Sequence, residues 1–312
     1  TRDMGVKTIL IAVPSLALIQ QTLKTWTREL IINDLNADWL CVCSDNTVKE
    51  DQDSFVSFTY DLGIQVTTDE RDISEFLNRK TSNYKIIFTT YQSGKVIAQA
   101  SRGFSYDLAI MDEAHKTVGH MEKLSAHLIH QKNINIRKRL FMTATERLFR
   151  ANPNEYLSMN SKKHYGEIIY DLTFKKAIEA DPPIISDYKI ITFNVTDQDI
   201  QKIHSDNKFI QVEKELENIT AREFATAIAL RKAIKELNIK NVISFHSSIK
   251  RAKNFQKQQE IIGQVYSEYK KLETFHVSGD MPVSKRASQM RLFAEGKGLM
   301  TNARCLTEGV DL

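Results

Sequence analysis

No run of apolar residues here approaches the ~18 needed to cross a bilayer as a helix, which excludes a membrane-spanning helical protein. Cysteine is scarce. Cys41, Cys43 and Cys305 cannot form a disulfide framework, and the scarcity fits a reducing, cytoplasmic setting. No H-E-x-x-H occurs, and no cysteine lies near His120, His127 and His130 in "HMEKLSAHLIH", so zinc is disfavoured there. Trp26 and Trp39 stand apart rather than in an aromatic ladder for stacking single strands, and read as packing residues. An excess of either charge is also lacking. The net charge of +4 permits a nucleic-acid partner without arguing for one. The opening "TRDMGVKTILIAVPSLALIQQT" has no initiator Met, and Pro14 interrupts it too early for a secretory signal, so the chain is expected to be a piece of something longer.

What is present is an alternation of apolar strands and helices. "VKTILIAV" (6–13), "DWLCVCS" (38–44), "YKIIFTTY" (84–91), "YDLAIMD" (106–112) and "KRLFMTAT" (138–145) read as strands, and residues 16–30 as an amphipathic helix. Apolar strands without alternation, separated by helices, indicate a parallel sheet covered on both faces. Residues 151–187 hold three of the five prolines and read as a linker. The pattern restarts with strands at 188–195, 241–247, 274–279 and 298–303, and helices over 249–269 and 284–295. The expected class is α/β, with a first domain at 1–150 and a second at 188–312.

The segment "YDLAIMDEAHKTVGH" places two carboxylates at the carboxyl end of an apolar strand, where ligands bind in open parallel sheets. Asp112 could hold Mg²⁺ through water, because Mg²⁺ is hard, octahedral and slow to dehydrate. Glu113 could then deprotonate a water attacking a phosphate. An Asp-Glu pair after a strand is equally at home as a helix N-cap, where the helix dipole favours carboxylates. The tetrapeptide alone leaves both readings open. "NIRKRL" clusters Arg137, Lys138 and Arg139 before a strand and reads as a solvated edge.

The ordered company of this segment resembles the core of superfamily 2 helicases and translocases. D-E-A-H resembles their Walker B motif. "VPSLALIQQ" (13–21) looks like motif Ia, "FTTYQSG" (88–94) like motif Ib, "FMTAT" (141–145) like motif III and "VISFHSS" (242–248) like motif IV. "HVSGDMPVSKR" (276–286) resembles the segment that follows motif IV, and "LMTNARCLTEGVDL" (299–312) resembles motif V. The finer flavour, as in "TYQSG" and "YGEIIYDLTFKKAI", is similar to the motor of bacterial restriction-type enzymes. One departure is Glu146, where that group normally has proline after M-T-A-T.

The resemblance implies two tandem RecA-like domains that hydrolyse ATP with Mg²⁺ and act on nucleic acid, most of all double-stranded DNA. It implies that Asp112 coordinates Mg²⁺, Glu113 is the base, and His115 couples hydrolysis to Thr143 and Thr145. Ser15, Thr90 and Thr301 would bond phosphates of a nucleic-acid strand, and Gly309 and Asp311 would line the nucleotide cleft. Nuclease or methyltransferase domains or subunits would lie outside this chain. Two other readings stand beside it, a strand-separating DNA or RNA helicase and a non-hydrolysing RecA-like scaffold. No G-x-x-x-x-G-K-[S/T] phosphate loop occurs, since "SGK" (93–95) runs on to Val96. The P-loop is therefore expected before residue 1 and the final arginine-bearing motif after 312, which would leave these residues alone a poor ATPase.

Overall fold

The computed structural model describes residues 5–43, 66–150, 152–192, 194, 196–198, 201, 205, 219–267, 269, 271–303 and 306. The chain divides into two compact units, with the break between Gly166 and Glu167. Gly309 and Asp311 lie outside the described residues.

The first unit runs β1 (Thr8–Val13), α1 (Leu16–Ile32), β2 (Ala37–Val42), β3 (Val66–Thr67), α2 (Glu70–Asn78), β4 (Tyr84–Thr90), α3 (Gly94–Ala100), β5 (Tyr106–Met111), β6 (Gly119–His120), β7 (Ile136–Phe141), β8 (Tyr156–Leu157) and α4 (Lys162–Tyr165). Six of the strands form one sheet in the order β3-β2-β4-β1-β5-β7, with every pairing parallel. The continuous apolar runs are explained by its two buried faces. Leu10, Ala12, Ile87, Ala109 and Met111 pack on one side, while Ile9, Ile11, Val13, Ile86, Phe88 and Leu108 pack on the other. Leu16, Ile19, Leu23 and Leu30 of α1 cover the second face at helical spacing. Ser15 caps that helix, its hydroxyl accepting from the Leu18 N–H at 3.4 Å. Asp69 caps α2 in the same way, with Glu70 and Asp72 in the first turn to suit the helix dipole.

Part of the stretch read as linker is packed. β8 pairs with β6, and Leu157 and Tyr165 enter the core of the first unit. The strand expected at 188–195 does not form over its described part, residues 188–192 and 194. Tyr188 and Ile190 are exposed, and no described strand lies alongside to take their backbone groups. The last strand of the first sheet ends at Phe141 rather than 145, because the chain leaves β5 after Met142. The cluster Arg137–Arg139 is more engaged than a solvated edge. Arg139 donates to the carbonyls of Leu128 and Ile134, and Arg137 pairs with Asp107 at 3.1 Å.

The second unit contains α5 (Phe174–Ile178), α6 (Ala221–Glu236), β9 (Asn241–Phe245), α7 (Ile249–Val265), β10 (Glu273–Val277), α8 (Val283–Glu295) and β11 (Gly298–Asn302). Its parallel sheet has the order β10-β11-β9, and the central β11 is buried throughout. Gly298 opens β11 because a Cβ there would run into the Glu273 carbonyl oxygen. A capping box between Thr220 and Glu223 starts α6.

At the amino edge of the first sheet, the Asp107 carboxylate ties β5 to β1. It accepts from the backbone N–H groups of Lys7 and Thr8, the Thr8 hydroxyl and Arg137. Burial pushes its pKa up, but these donors outweigh burial and hold it below the ordinary carboxylate value. The folded value being depressed, this stabilisation is complete above the unfolded value of about 4 and is lost as pH falls through the folded one. Asp107→Asn is expected to lower stability by roughly 1 kcal/mol at neutral pH, with the gap to wild type closing in acid. Denaturant titrations from pH 7 to pH 3 check this; a gap independent of pH would remove the charge as its source.

Candidate active site

The site forms where β5 ends. The Asp112 N–H donates to the Ala12 carbonyl of β1 at 3.0 Å. On the other side, Met142 N–H donates to the Met111 carbonyl and Ala114 N–H donates to the Met142 carbonyl, both at 2.9 Å. Held from both sides, the chain turns sharply between Asp112 and Ala114, and Glu113 adopts a left-handed conformation with φ 50° and ψ 44°. The other described non-glycine residues at positive φ are Asp34 and Asn238, types that tolerate it, just beyond helices α1 and α6. Glutamate has no such tolerance. A left-handed glutamate costs about 1–2 kcal/mol, which the flanking bonds must offset.

Both carboxylates are half-buried. One Asp112 oxygen accepts from the Glu113 N–H at 2.9 Å, which fixes the side chain over the strand end. The other oxygen has no protein partner among the described residues. No cluster of three or more metal-ligating side chains occurs among the described residues. A single anchored carboxylate nevertheless suits Mg²⁺, which keeps most of its waters and takes its remaining ligands from phosphate.

His115 gathers the rest. Its Nδ1 lies 3.1 Å from Glu113 Oε2, 2.9 Å from Thr143 Oγ1 and 3.3 Å from Thr145 Oγ1. The Thr143 hydroxyl donates to the Thr145 carbonyl at 3.0 Å and accepts from the Thr145 N–H at 3.1 Å. Its one proton is thereby used, so the contact with His115 must be an N–H donated by the ring. The Glu113 carboxylate, an acceptor only, requires the same. Both partners place the proton on Nδ1, leaving Nε2 as the acceptor in the neutral ring. The turn that follows is closed by Thr117, whose hydroxyl donates to the Ala114 carbonyl at 2.6 Å and accepts from Tyr165 at 2.9 Å.

Asp112, Glu113, His115, Thr143 and Thr145 are thus brought together at one strand end. The three hydroxyls expected on nucleic acid are buried and engaged within the fold. Ser15 caps α1, Thr90 meets the Ser93 hydroxyl at 3.2 Å, and Thr301 meets His276 Nδ1 at 3.0 Å. Tyr91 is a residue that sequence reasoning passed over. It is 1% exposed, and its hydroxyl donates to the Asp112 carbonyl at 2.6 Å. Burial, and then the Asp112 charge, push its pKa well up, so it stays a donor.

Residues 1–148 match the protein family described as type III restriction enzyme, res subunit. Among solved structures, the chain is similar to a DNA-bound ATP-dependent type ISP restriction-modification enzyme, LlaBIII, with 22% identity and a TM-score of 0.74 over 98% of this chain and 22% of that one. It is also similar to a nuclease-deletion mutant of the type ISP enzyme LlaGI in complex with a DNA substrate mimic, with 21% identity and a TM-score of 0.62 over 95% of this chain and 20% of that one. At these identities the likeness is one of fold, a RecA-like α/β arrangement with parallel sheets. The chain spans about a fifth of the length of either structure. No curated protein sequence matches it significantly. The resemblance to restriction-type motors read from the motifs is borne out by the family match over the first unit and by the shared fold.

The hydrogen-bond count around His115 predicts a ring that carries a proton on Nδ1. Long-range ¹H–¹⁵N spectra of the assigned ring check it; a ring protonated only at Nε2 would break the arrangement described.

Proposed function

We propose that this chain is the core of an ATP-driven nucleic-acid motor, and that it translocates along double-stranded DNA. The observation that carries the reading is the convergence of Asp112, Glu113, His115 and Thr143 at the end of a parallel strand. In this reading Asp112 would hold Mg²⁺, which when bound would supply charge stabilisation on the transferred phosphate. Glu113 takes the proton of the attacking water, and its left-handed backbone sets the direction of its carboxylate. His115 senses that carboxylate through Nδ1 and passes the change to Thr143 and Thr145.

The family match and the DNA-bound relatives support nucleic acid as the partner. Ser15, Thr90 and Thr301 are proposed as strand contacts, which requires each hydroxyl to exchange its present partner for a phosphate oxygen. Gly309 and Asp311 are assigned to the nucleotide cleft by the same motifs. Domains at 1–150 and 188–312, nuclease or methyltransferase partners, and a cytoplasmic setting belong to this reading as well. Since these 312 residues carry no G-x-x-x-x-G-K-[S/T], hydrolysis is assigned to the intact protein.

In the intact protein, Glu113→Gln is expected to abolish DNA-stimulated ATP hydrolysis while ATP binding persists. Retained turnover would remove Glu113 as the base. Triplex displacement without strand separation is the result expected of a translocase; unwinding of duplex substrates would assign strand separation instead.

A further inference from the structure

The Asp112 carbonyl is an unusual acceptor. In the parallel pairing of β1 with β5, Ala12 lies opposite Met111, and the Asp112 N–H donates to the Ala12 carbonyl. Continuation of that ladder would bring the N–H of residue 14 to the Asp112 carbonyl. Residue 14 is proline and has no N–H. The ladder therefore stops one rung short, at the peptide that leads into left-handed Glu113. Into that place comes the Tyr91 hydroxyl at 2.6 Å, from a ring buried in the core beside the sheet.

We propose that Tyr91 is a positioning residue for Glu113: its hydroxyl takes the rung that Pro14 leaves open, and so fixes the peptide plane from which the Glu113 carboxylate is aimed. A tyrosine that only satisfied its own hydroxyl could use any buried acceptor. This one holds the carbonyl immediately before the strained residue, where a rotation of the peptide would swing Glu113 away from His115. The bond joins two segments that the sequence keeps apart, at the place where Pro14 of a third leaves the ladder open. Pro14 and Ser15 begin α1, Tyr91 follows Thr90 and precedes Ser93, and Asp112 ends β5. A shift of the Thr90–Ser93 turn would therefore be felt at Glu113 through one hydrogen bond. Such a link gives a bound strand a short route to the hydrolytic carboxylate.

The inference rests on Glu113 being the base proposed above. Tyr91→Phe deletes the hydroxyl and keeps the ring in the core. In the intact protein it is expected to lower kcat for DNA-stimulated ATP hydrolysis about tenfold, the rate equivalent of one aligned hydrogen bond, with KM for ATP unchanged. Amide hydrogen exchange gives a reading independent of catalysis. Glu113, Ala114 and His115 are expected to exchange faster in the variant, while β1, β4 and β5 do not. Unchanged kcat, a change in KM alone, unchanged exchange at 113–115, or faster exchange throughout the sheet would each overturn the role. Wild-type protein without ATP hydrolysis would instead overturn the reading of Glu113, and the exchange data would still decide whether Tyr91 holds the turn.

Discussion

The backbone hydrogen bonds that clamp the end of β5 between β1 and the segment after β7 are the constraint on which the site depends. Asp112 is held on the β1 side, and Met111 and Ala114 on the Met142 side. Three backbone hydrogen bonds within four residues leave Glu113 no room for an extended conformation. Each is worth roughly 1 kcal/mol net, so together they offset the cost of a left-handed glutamate. The direction of the Glu113 side chain follows from that backbone. Its distance to His115, and the proton on His115 Nδ1, follow in turn.

The same clamp ties the site to two neighbouring segments. Met142 bonds the site on one side and leads directly to Thr143, whose hydroxyl faces His115. Tyr91 approaches the Asp112 carbonyl from the turn after β4. Both segments therefore contact the residues on either side of Glu113 directly. The parallel sheet below, buried on both faces, is the rigid base of the site.

Much of this was legible in the residues. The apolar runs at 8–13, 84–90 and 106–111 signalled a parallel sheet because both faces of each strand are buried. The reading of Asp112 and Glu113 as a catalytic pair rather than a helix cap rests on the order of short motifs and stands as the proposal above. Other parts were not legible. "YKIITFNV" has the composition of a strand, but composition carries no information on whether a neighbour is present to pair with it. "NIRKRL" looked like a solvated edge because the carbonyls that receive Arg139 come from residues 128 and 134 in a folded turn. Ser15, Thr90 and Thr301 carry hydroxyls that local structure uses as readily as a ligand would. Tyr91 left one clue in the sequence, a proline where the ladder needs a donor, which becomes readable only once the register of β1 and β5 is known.

Asp112 and Glu113 are proposed to form the metal-holding and water-activating half of a nucleotide site. A structure of the intact protein with Mg²⁺ and a non-hydrolysable ATP analogue tests this most directly. Mg²⁺ bound through water to Asp112, with the Glu113 carboxylate facing a water at the terminal phosphate, is the expected result. Nucleotide bound elsewhere, with both carboxylates remote from metal and phosphate, would contradict it.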